Sequence, residues 1–345
     1  MDKDSIYKTF QEICRQIPVV ILGSGPSCAV GIPGMEALAE HLLNKLHNNT
    51  SIEWKKIRSD LQNKIGLETA LSNNPPSESL NSEIIQIVGH YISKKDKELR
   101  NCYFNDHIAI PIEWLINYFR SETLTIITPN YDCLIEYCCD KLKIPCYTGF
   151  VGYFRKTRDF ERAEKEIEYI DKSVIVKGKR RLLPKTALHV RLFKVHGSIE
   201  WYEANNKIVS DISLADNKFD NKRLIIPPGY EKYSNAFHDP FIEFIQKAND
   251  SIRSGKSFLM IGYGFNDDPI EGTLLKRLGE DEKPGIIITK ELSEKAKELL
   301  SDCPNLWGVS QKNGATVIHC AENEYEMPDI ELWQIDKFVR EILGG

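Results

Sequence analysis

The sequence predicts an α/β fold: a mostly parallel sheet with helices on both faces and one helical insertion. Three observations carry this. Short apolar runs such as Val19–Leu22 and Phe258–Ile261 alternate with amphipathic helical patterns, and strands separated by helices form a parallel sheet covered on both sides. Each run ends in glycines or small polar residues. The 345 residues, 41% hydrophobic and 28% charged, supply core enough for one large domain spanning 1–345. The arrangement expected is Rossmann-like.

The elements follow in order. Ile6, Phe10, Ile13 and Ile17 space an amphipathic helix over Ser5–Ile17, and Pro18 leads into the strand Val19–Leu22. The loop GSGPSCAVGIPG precedes a helix over Met35–Leu46. Residues 50–122 read as a helical insertion, broken by an Asn/Pro/Ser loop at Ser72–Ser82. A second strand, Leu124–Thr128, ends at TPNYD and passes into a helix over Cys133–Leu142. Residues 150–190 form a charged surface excursion, in which Arg155–Lys185 holds eleven Lys/Arg against six Asp/Glu. A third strand, Leu192–Val195, ends at HGS. A hairpin follows over Ile199–Val209, turning at Asn205-Asn206, then an extended Ile225–Tyr230 and a helix over Pro240–Ile252. The last third reads as strand Phe258–Ile261, a helix after Pro269, strand Ile286–Ile288, helix Leu292–Leu300, strand Thr316–His319 and a closing helix Glu331–Leu343. No internal repeat is evident.

Composition narrows the function classes. A net charge of −5 and a pI near 6.0 supply no global field for nucleic acid or an anionic membrane, so no direct nucleic-acid binding is expected. The start MDKDSIYKTF has no apolar signal region and no run approaches a membrane span, so the expected location is the cytoplasm. Nine cysteines without a Cys-x-x-Cys pair, and eight histidines without a metalloprotease spacing, give no zinc ligand set; no metal is expected. Ser254-Gly255-Lys256-Ser257 imitates the end of a P-loop, but Asp250 stands where that loop needs glycine and the segment precedes its strand.

In an open parallel sheet, ligands bind beyond the carboxyl ends of the strands. Here those ends carry Gly23-Ser24-Gly25-Pro26-Ser27, Pro129-Asn130-Tyr131-Asp132, His196-Gly197-Ser198 and Gly262-Tyr263-Gly264-Phe265-Asn266-Asp267. The first loop offers amides and close approach to a pyrophosphate, although Cys28 replaces the third glycine of the ordinary dinucleotide fingerprint and the next glycine is Gly31. Taken alone, each motif also has a plain structural use: a strand-to-helix turn, an Asp132 cap, a core histidine. Together, Asn130 and His196 can orient a water or ribose hydroxyl and accept its proton. GYGFND brings hydroxyl, amide and carboxylate groups suited to a ribose edge.

In this order GSGPSCAVGIP, TPNYD, KVHGSIEW and IGYGFND resemble the sirtuin family, and within it the bacterial sirtuin-like NAD⁺ hydrolases of antiphage defence, over Val19 to about Leu275. The residues that carry the resemblance are Gly23, Gly25, Ser27, Gly31-Ile32-Pro33, Thr128, Asn130, Asp132 and His196-Gly197. The chain departs from protein-deacylating sirtuins in lacking two cysteine pairs for zinc, in having Gly34-Met35-Glu36 after Gly-Ile-Pro, and in Pro129 before the asparagine.

The resemblance implies an NAD⁺ glycohydrolase with Asn130 and His196 as catalytic residues. Gly23, Ser24, Gly25, Ser27, Gly31, Asp132, Gly262 and Tyr263 would bind NAD⁺, the substrate. It also implies a gated effector that depletes NAD⁺ in abortive infection, acting as a homo-oligomer or with an activating partner protein. The alternatives are an ADP-ribosyl or deacylase transferase, against which the missing zinc pairs count, and a non-catalytic NAD⁺ or ADP-ribose sensor, which would need neither Asn130 nor His196.

Overall fold

The computed structural model describes residues 2–106, 108–176, 179–216, 222–229, 240–266, 268–321 and 323–344. Tyr230, Asp267, Lys177 and Gly178, which fall within segments named above, lie outside the described residues.

The chain opens with helix Lys3–Arg15, which enters β1 (Val19–Leu22) through Ile17 in a left-handed conformation, φ 55°. Helices Gly25–Ala29 and Met35–Lys45 follow. The insertion then supplies Ile52–Gln62, Leu67–Asn73, the 28-residue Glu78–Asn105, and Pro111–Tyr118. β2 (Leu124–Thr128) leads to helix Leu134–Leu142 and β3 (Cys146–Tyr147). Next come β4 (Phe150–Val151), β5 (Lys156–Arg158), β6 (Glu168–Val176), β7 (Lys179–Thr186), β8 (Val190–Lys194), β9 (Gly197–Ala204), β10 (Lys207–Ser210) and β11 (Lys222–Ile225). The remaining strands are β12 (Phe258–Ile261), β13 (Gly285–Ile288), β14 (Leu306–Lys312), β15 (Ala315–Cys320) and β16 (Asn323–Met327). Helices Phe241–Ser254, Asp268–Gly279 and Glu294–Asp302 lie between the strands from β11 to β14.

The main sheet has nine strands in the order β16-β15-β14-β13-β12-β1-β2-β8-β3. From β14 to β3 every pairing is parallel. The chain builds outward from β1 to β2 and β8, then returns across β1 to lay down β12. This reversal opens a crevice between the ends of β1 and β12, where such sheets bind ligands. Alternate residues of these strands feed two cores, one on each face. Val20, Leu22, Ile126, Leu259 and Ile261 face the helical insertion; Val19, Ile21, Ile127, Phe258 and Met260 face the helices Phe241–Ser254 and Asp268–Gly279.

The sheet is mostly parallel, as expected, and mixed at one edge, where β14, β15 and β16 form an antiparallel meander. β16 (NEYEM) is mostly exposed and carries too little apolar pattern to be read as a strand. The closing helix is also shorter than its pattern, with an α turn at Ile335–Phe338 and a π turn at Val339–Leu343. A second sheet, β11-β9-β10-β5-β4, packs on the helix Phe241–Ser254 through Phe150 and Trp201 of the sheet and Phe244 of the helix, whose rings lie 4.4–6.0 Å apart. Asn205 and Asn206, φ 52° and 57°, make the tight β9–β10 turn that their sequence predicts. Within 150–190, Phe160 and Ala163 are buried, while β6 and β7 pair with each other in a separate two-stranded ribbon.

Candidate functional site

The loops after β1, β2, β8 and β12 meet over one cleft. Its lining includes Gly23, Ser24, Ser27, Asn130, Asp132, His196, Gly262 and Tyr263, together with Cys28, Met35, Pro228 and Asn266. Gly25 and Gly31 do not line it.

The two glycine loops are in near backbone contact. The Gly23 N–H donates to the Ile261 carbonyl at 2.9 Å and the Gly25 N–H to the Gly262 carbonyl at 3.5 Å. A Cβ on Gly23 would fall 2.1 Å from the Gly262 oxygen, and one on Gly25 2.9 Å from the Gly262 Cα. These amides therefore close the crevice floor; the groups of the loop left to meet a ligand are on Ser24 and Ser27, since Pro26 has no N–H.

The turn after β2 is anchored on both sides of Pro129. Thr128 Oγ1 donates to the Leu22 carbonyl at 2.7 Å and accepts the Asn130 N–H at 3.1 Å. Asn130 Nδ2 donates to the Gly23 carbonyl at 2.8 Å and to Ser27 Oγ at 3.1 Å. A carbonyl only accepts, so this fixes the amide's orientation and leaves Oδ1 as the end with which Asn130 can meet a ligand or water. The Tyr131 hydroxyl donates to the Ile226 carbonyl at 2.5 Å, and Asp132 Oδ1 accepts the Leu134 N–H at 3.1 Å at the start of the following helix, whose N-cap residue is Cys133 and not Asp132.

His196 is 5% exposed, and its carbonyl accepts the Ile226 N–H at 2.9 Å. The next residue turns the chain sharply with φ 83°, and a Cβ there would lie 2.2 Å from the Leu224 oxygen, so only glycine fits at Gly197.

Several contributors were not evident in the sequence. Glu68 and Ile92 bring two insertion helices, Leu67–Asn73 and Glu78–Asn105, to the cleft wall. Asp96, 1% exposed on the long helix, accepts the Cys133 N–H at 2.9 Å and the Tyr137 hydroxyl, joining the insertion to the turn after β2. Burial pushes the Asp96 carboxyl up to about 6, against the pull of those two donors. The available signal was a lone aspartate on the apolar face of a helix.

Among the described residues, one cluster brings three metal-type donors together: Cys133, Glu136 and Glu200, with ligand atoms within 4.8 Å of one another. The Lys194 ammonium lies 2.5 Å from Glu136 Oε1, so a cationic group already stands against these carboxylates. Burial holds the Cys133 thiol well above its ordinary pKa, in the neutral form that binds metal poorly.

The SIR2-like domain family model matches residues 124–306, more than half of the chain. The protein belongs to the SIR2-like domain family. Among solved structures, a complex of a Sir2 homologue with NAD is similar at a TM-score of 0.48 and 14% identity, covering 100% of this chain and 94% of that one. A mutant Sir2 homologue complexed with 2′-O-acetyl ADP ribose is similar at 0.47 and 14% identity, covering 100% and 97%. No curated protein matches the chain by sequence. No helix among the described residues is long and apolar enough to cross a membrane.

Proposed function

We propose that the protein is an NAD⁺ glycohydrolase, cleaving NAD⁺ to nicotinamide and ADP-ribose. The observation that carries this reading is the convergence of Asn130 and His196 on the cleft at the β1–β12 crevice, within a chain of the SIR2-like family. The dinucleotide lies across the crevice with its pyrophosphate against Ser24 and Ser27. Gly262 and Tyr263 border the adenosine ribose, and Asp132 faces the nicotinamide amide.

In the reaction the bond from C1′ to the nicotinamide nitrogen breaks, and its electron pair returns to the ring, which leaves neutral. Charge builds on the ribose as an oxocarbenium. Asn130 accepts a hydrogen bond from the attacking water through Oδ1, and neutral His196 takes the proton that the water loses as its oxygen bonds to C1′. No electrons are exchanged with an external carrier, and the balance is one NAD⁺ and one water to nicotinamide, ADP-ribose and a proton.

An unregulated activity of this kind in the cytoplasm would drain a cofactor the cell requires. The reading therefore includes gating by self-assembly or by an activating protein, as expected of an effector in antiphage defence. The insertion supports gating physically, because Glu68, Ile92 and Asp96 tie its helices to the cleft. Incubation with NAD⁺, alone and with products of neighbouring genes, tests the proposal. Free ADP-ribose with equimolar nicotinamide supports it, whereas NAD⁺ left intact or ADP-ribose found on an acceptor removes it.

A further inference from the structure

Beneath the cleft floor lies a group that the reaction above does not use. Lys194 ends β8 and is 3% exposed, at a strand position where an apolar side chain is the usual occupant. Its ammonium donates hydrogen bonds to the Asp132 carbonyl at 2.7 Å and to Ser198 Oγ at 3.1 Å, and forms an ion pair with Glu136, Oε1 lying 2.5 Å away. Ser198 Oγ donates onward to the Tyr131 carbonyl at 3.2 Å, which also accepts the Ile199 N–H at 3.0 Å. Burial by itself would discharge Lys194, but the Glu136 and Glu200 carboxylates outweigh it and keep the ammonium charged.

The partners lie on two stretches of chain. Asp132 belongs to the turn that carries Asn130 and Glu136 to the helix Leu134–Leu142 that continues from it, while Ser198 lies at the start of β9, two residues after His196. A buried ion pair adds little net stability over well-packed apolar residues, so compensation of Glu136 alone does not account for a lysine here. What an ammonium supplies and a methionine cannot is directed hydrogen bonding to the two stretches at once.

Resting on the hydrolase reading, we propose that Lys194 is a positioning residue for NAD⁺ cleavage, holding the Asn130 turn in register with His196. Its ammonium touches neither substrate nor reacting atoms. The effect passes through the Asp132 carbonyl and Ser198, and displacing reacting groups by about 1 Å costs on the order of 10²-fold in rate.

The test uses Lys194→Met and the charge-balanced Lys194→Met/Glu136→Gln, which avoids leaving a carboxylate buried alone. Both are compared with wild type for melting temperature, for the melting shift on adding NAD⁺, and for kcat and KM of nicotinamide release. The expected result is a double variant that melts near wild type and keeps its NAD⁺ shift and KM within about three-fold, while kcat falls on the order of 10²-fold. A folded double variant with wild-type kcat overturns the proposal, as does one that loses kcat only in proportion to its folded fraction. If the double variant does not fold, Ser198→Ala serves instead, since it removes one partner and leaves the ion pair. A fall in kcat of about 10-fold at unchanged KM supports the proposal, and an unchanged kcat overturns it. Wild type that releases no nicotinamide under any assembly condition overturns the hydrolase reading instead, which separates the two failures.

Discussion

Asn130 donates from Nδ2 to the carbonyl of Gly23, a residue 107 positions earlier, across 2.8 Å. The bond joins the ends of β1 and β2 and sets the side chain before any ligand arrives, because an amide nitrogen facing a carbonyl and Ser27 Oγ must turn its oxygen the other way.

Replacing Asn130 by alanine therefore removes both a positioned acceptor and a link between two loops. Replacing His196 by alanine removes the proton acceptor. Each variant is expected to lose about 10²- to 10⁴-fold in NAD⁺ cleavage, with the fold retained by circular dichroism. Asn130→Asp separates the two effects, since a carboxylate facing the Gly23 carbonyl repels it; its melting temperature is expected to fall below that of Asn130→Ala. Wild-type turnover in both alanine variants would remove the site assignment.

The glycine loops give a prediction about stability. A Cβ at position 23 would overlap the Gly262 backbone oxygen at 2.1 Å, and the two residues sit at adjacent strand ends whose backbone has nowhere to move. Gly23→Ala is expected to destabilise by about 1–3 kcal/mol or more, read as a lowered denaturant midpoint at unchanged slope. Gly31→Ala is the control: no atom lies within 4 Å of its Cβ, so the cost is only that of its left-handed φ of 91°.

The sheet and the strand-end loops were legible in the sequence because their signals are local. Val19–Leu22 is a continuous apolar run stopped by glycine, Leu124–Thr128 is rich in β-branched residues and stopped by the proline after Thr128, and both became strands with those bounds. Ser27 and Asn130 could be named as neighbours only through the motif order, and the bond between them depends on a fold that brings the β1 and β2 ends together. Glu68 and Ile92 could not be found this way, because their helices reach the cleft through packing with no periodic mark at those positions. Lys194 was readable in principle. A lysine closing the apolar run before His196 is either exposed or paired, and sequence alone does not say which.

Asp96 predicts a pH dependence. Its carboxyl is raised from an ordinary 3.8 to about 6, chiefly by burial, so the folded protein holds this proton more tightly than the unfolded chain does. Stability from this group is full below about pH 4, declines as pH rises toward 6 and is flat above, a total of roughly 3 kcal/mol at most. Asp96→Asn keeps an acceptor for the Cys133 N–H and cannot ionise. The difference in unfolding free energy, variant minus wild type, is expected to rise between pH 4 and 7 and then level off. A difference independent of pH would show that Asp96 does not titrate in that window.

Chelation bears on the Cys133, Glu136 and Glu200 cluster. With the Lys194 ammonium 2.5 Å from Glu136 Oε1, a divalent ion would have to displace a buried charge and deprotonate a buried thiol. Treatment with EDTA or phenanthroline is expected to leave melting temperature and NAD⁺ cleavage unchanged. Stoichiometric zinc by elemental analysis, with a melting temperature that drops on its removal, would show the opposite.

The β6–β7 ribbon stands apart from both larger sheets, and it carries Tyr169, Ile170, Leu182 and Leu183 exposed alongside Lys172, Arg181 and Lys185. Exposed apolar residues beside positive charge suit contact with an acidic surface, and the 155–185 segment has an excess of five positive charges in a chain whose net charge is −5. At the base of the ribbon the Ala187 N–H donates to the Ile167 carbonyl at 2.7 Å, so a short Gly/Ser turn can replace residues 168–186 without moving the rest. The shortened protein is expected to melt within a few degrees of wild type, to bind NAD⁺ as before, and to lack the rise in specific activity with concentration or added partner that gating predicts for the full chain. Neutralising Lys172, Arg181 and Lys185 together should weaken that rise and its sensitivity to salt, because screening acts on exposed charges over about 8–10 Å. Full activity in the dilute wild-type monomer, unchanged by concentration, partner or deletion, would show that the cleft is never gated and that the ribbon serves no assembly.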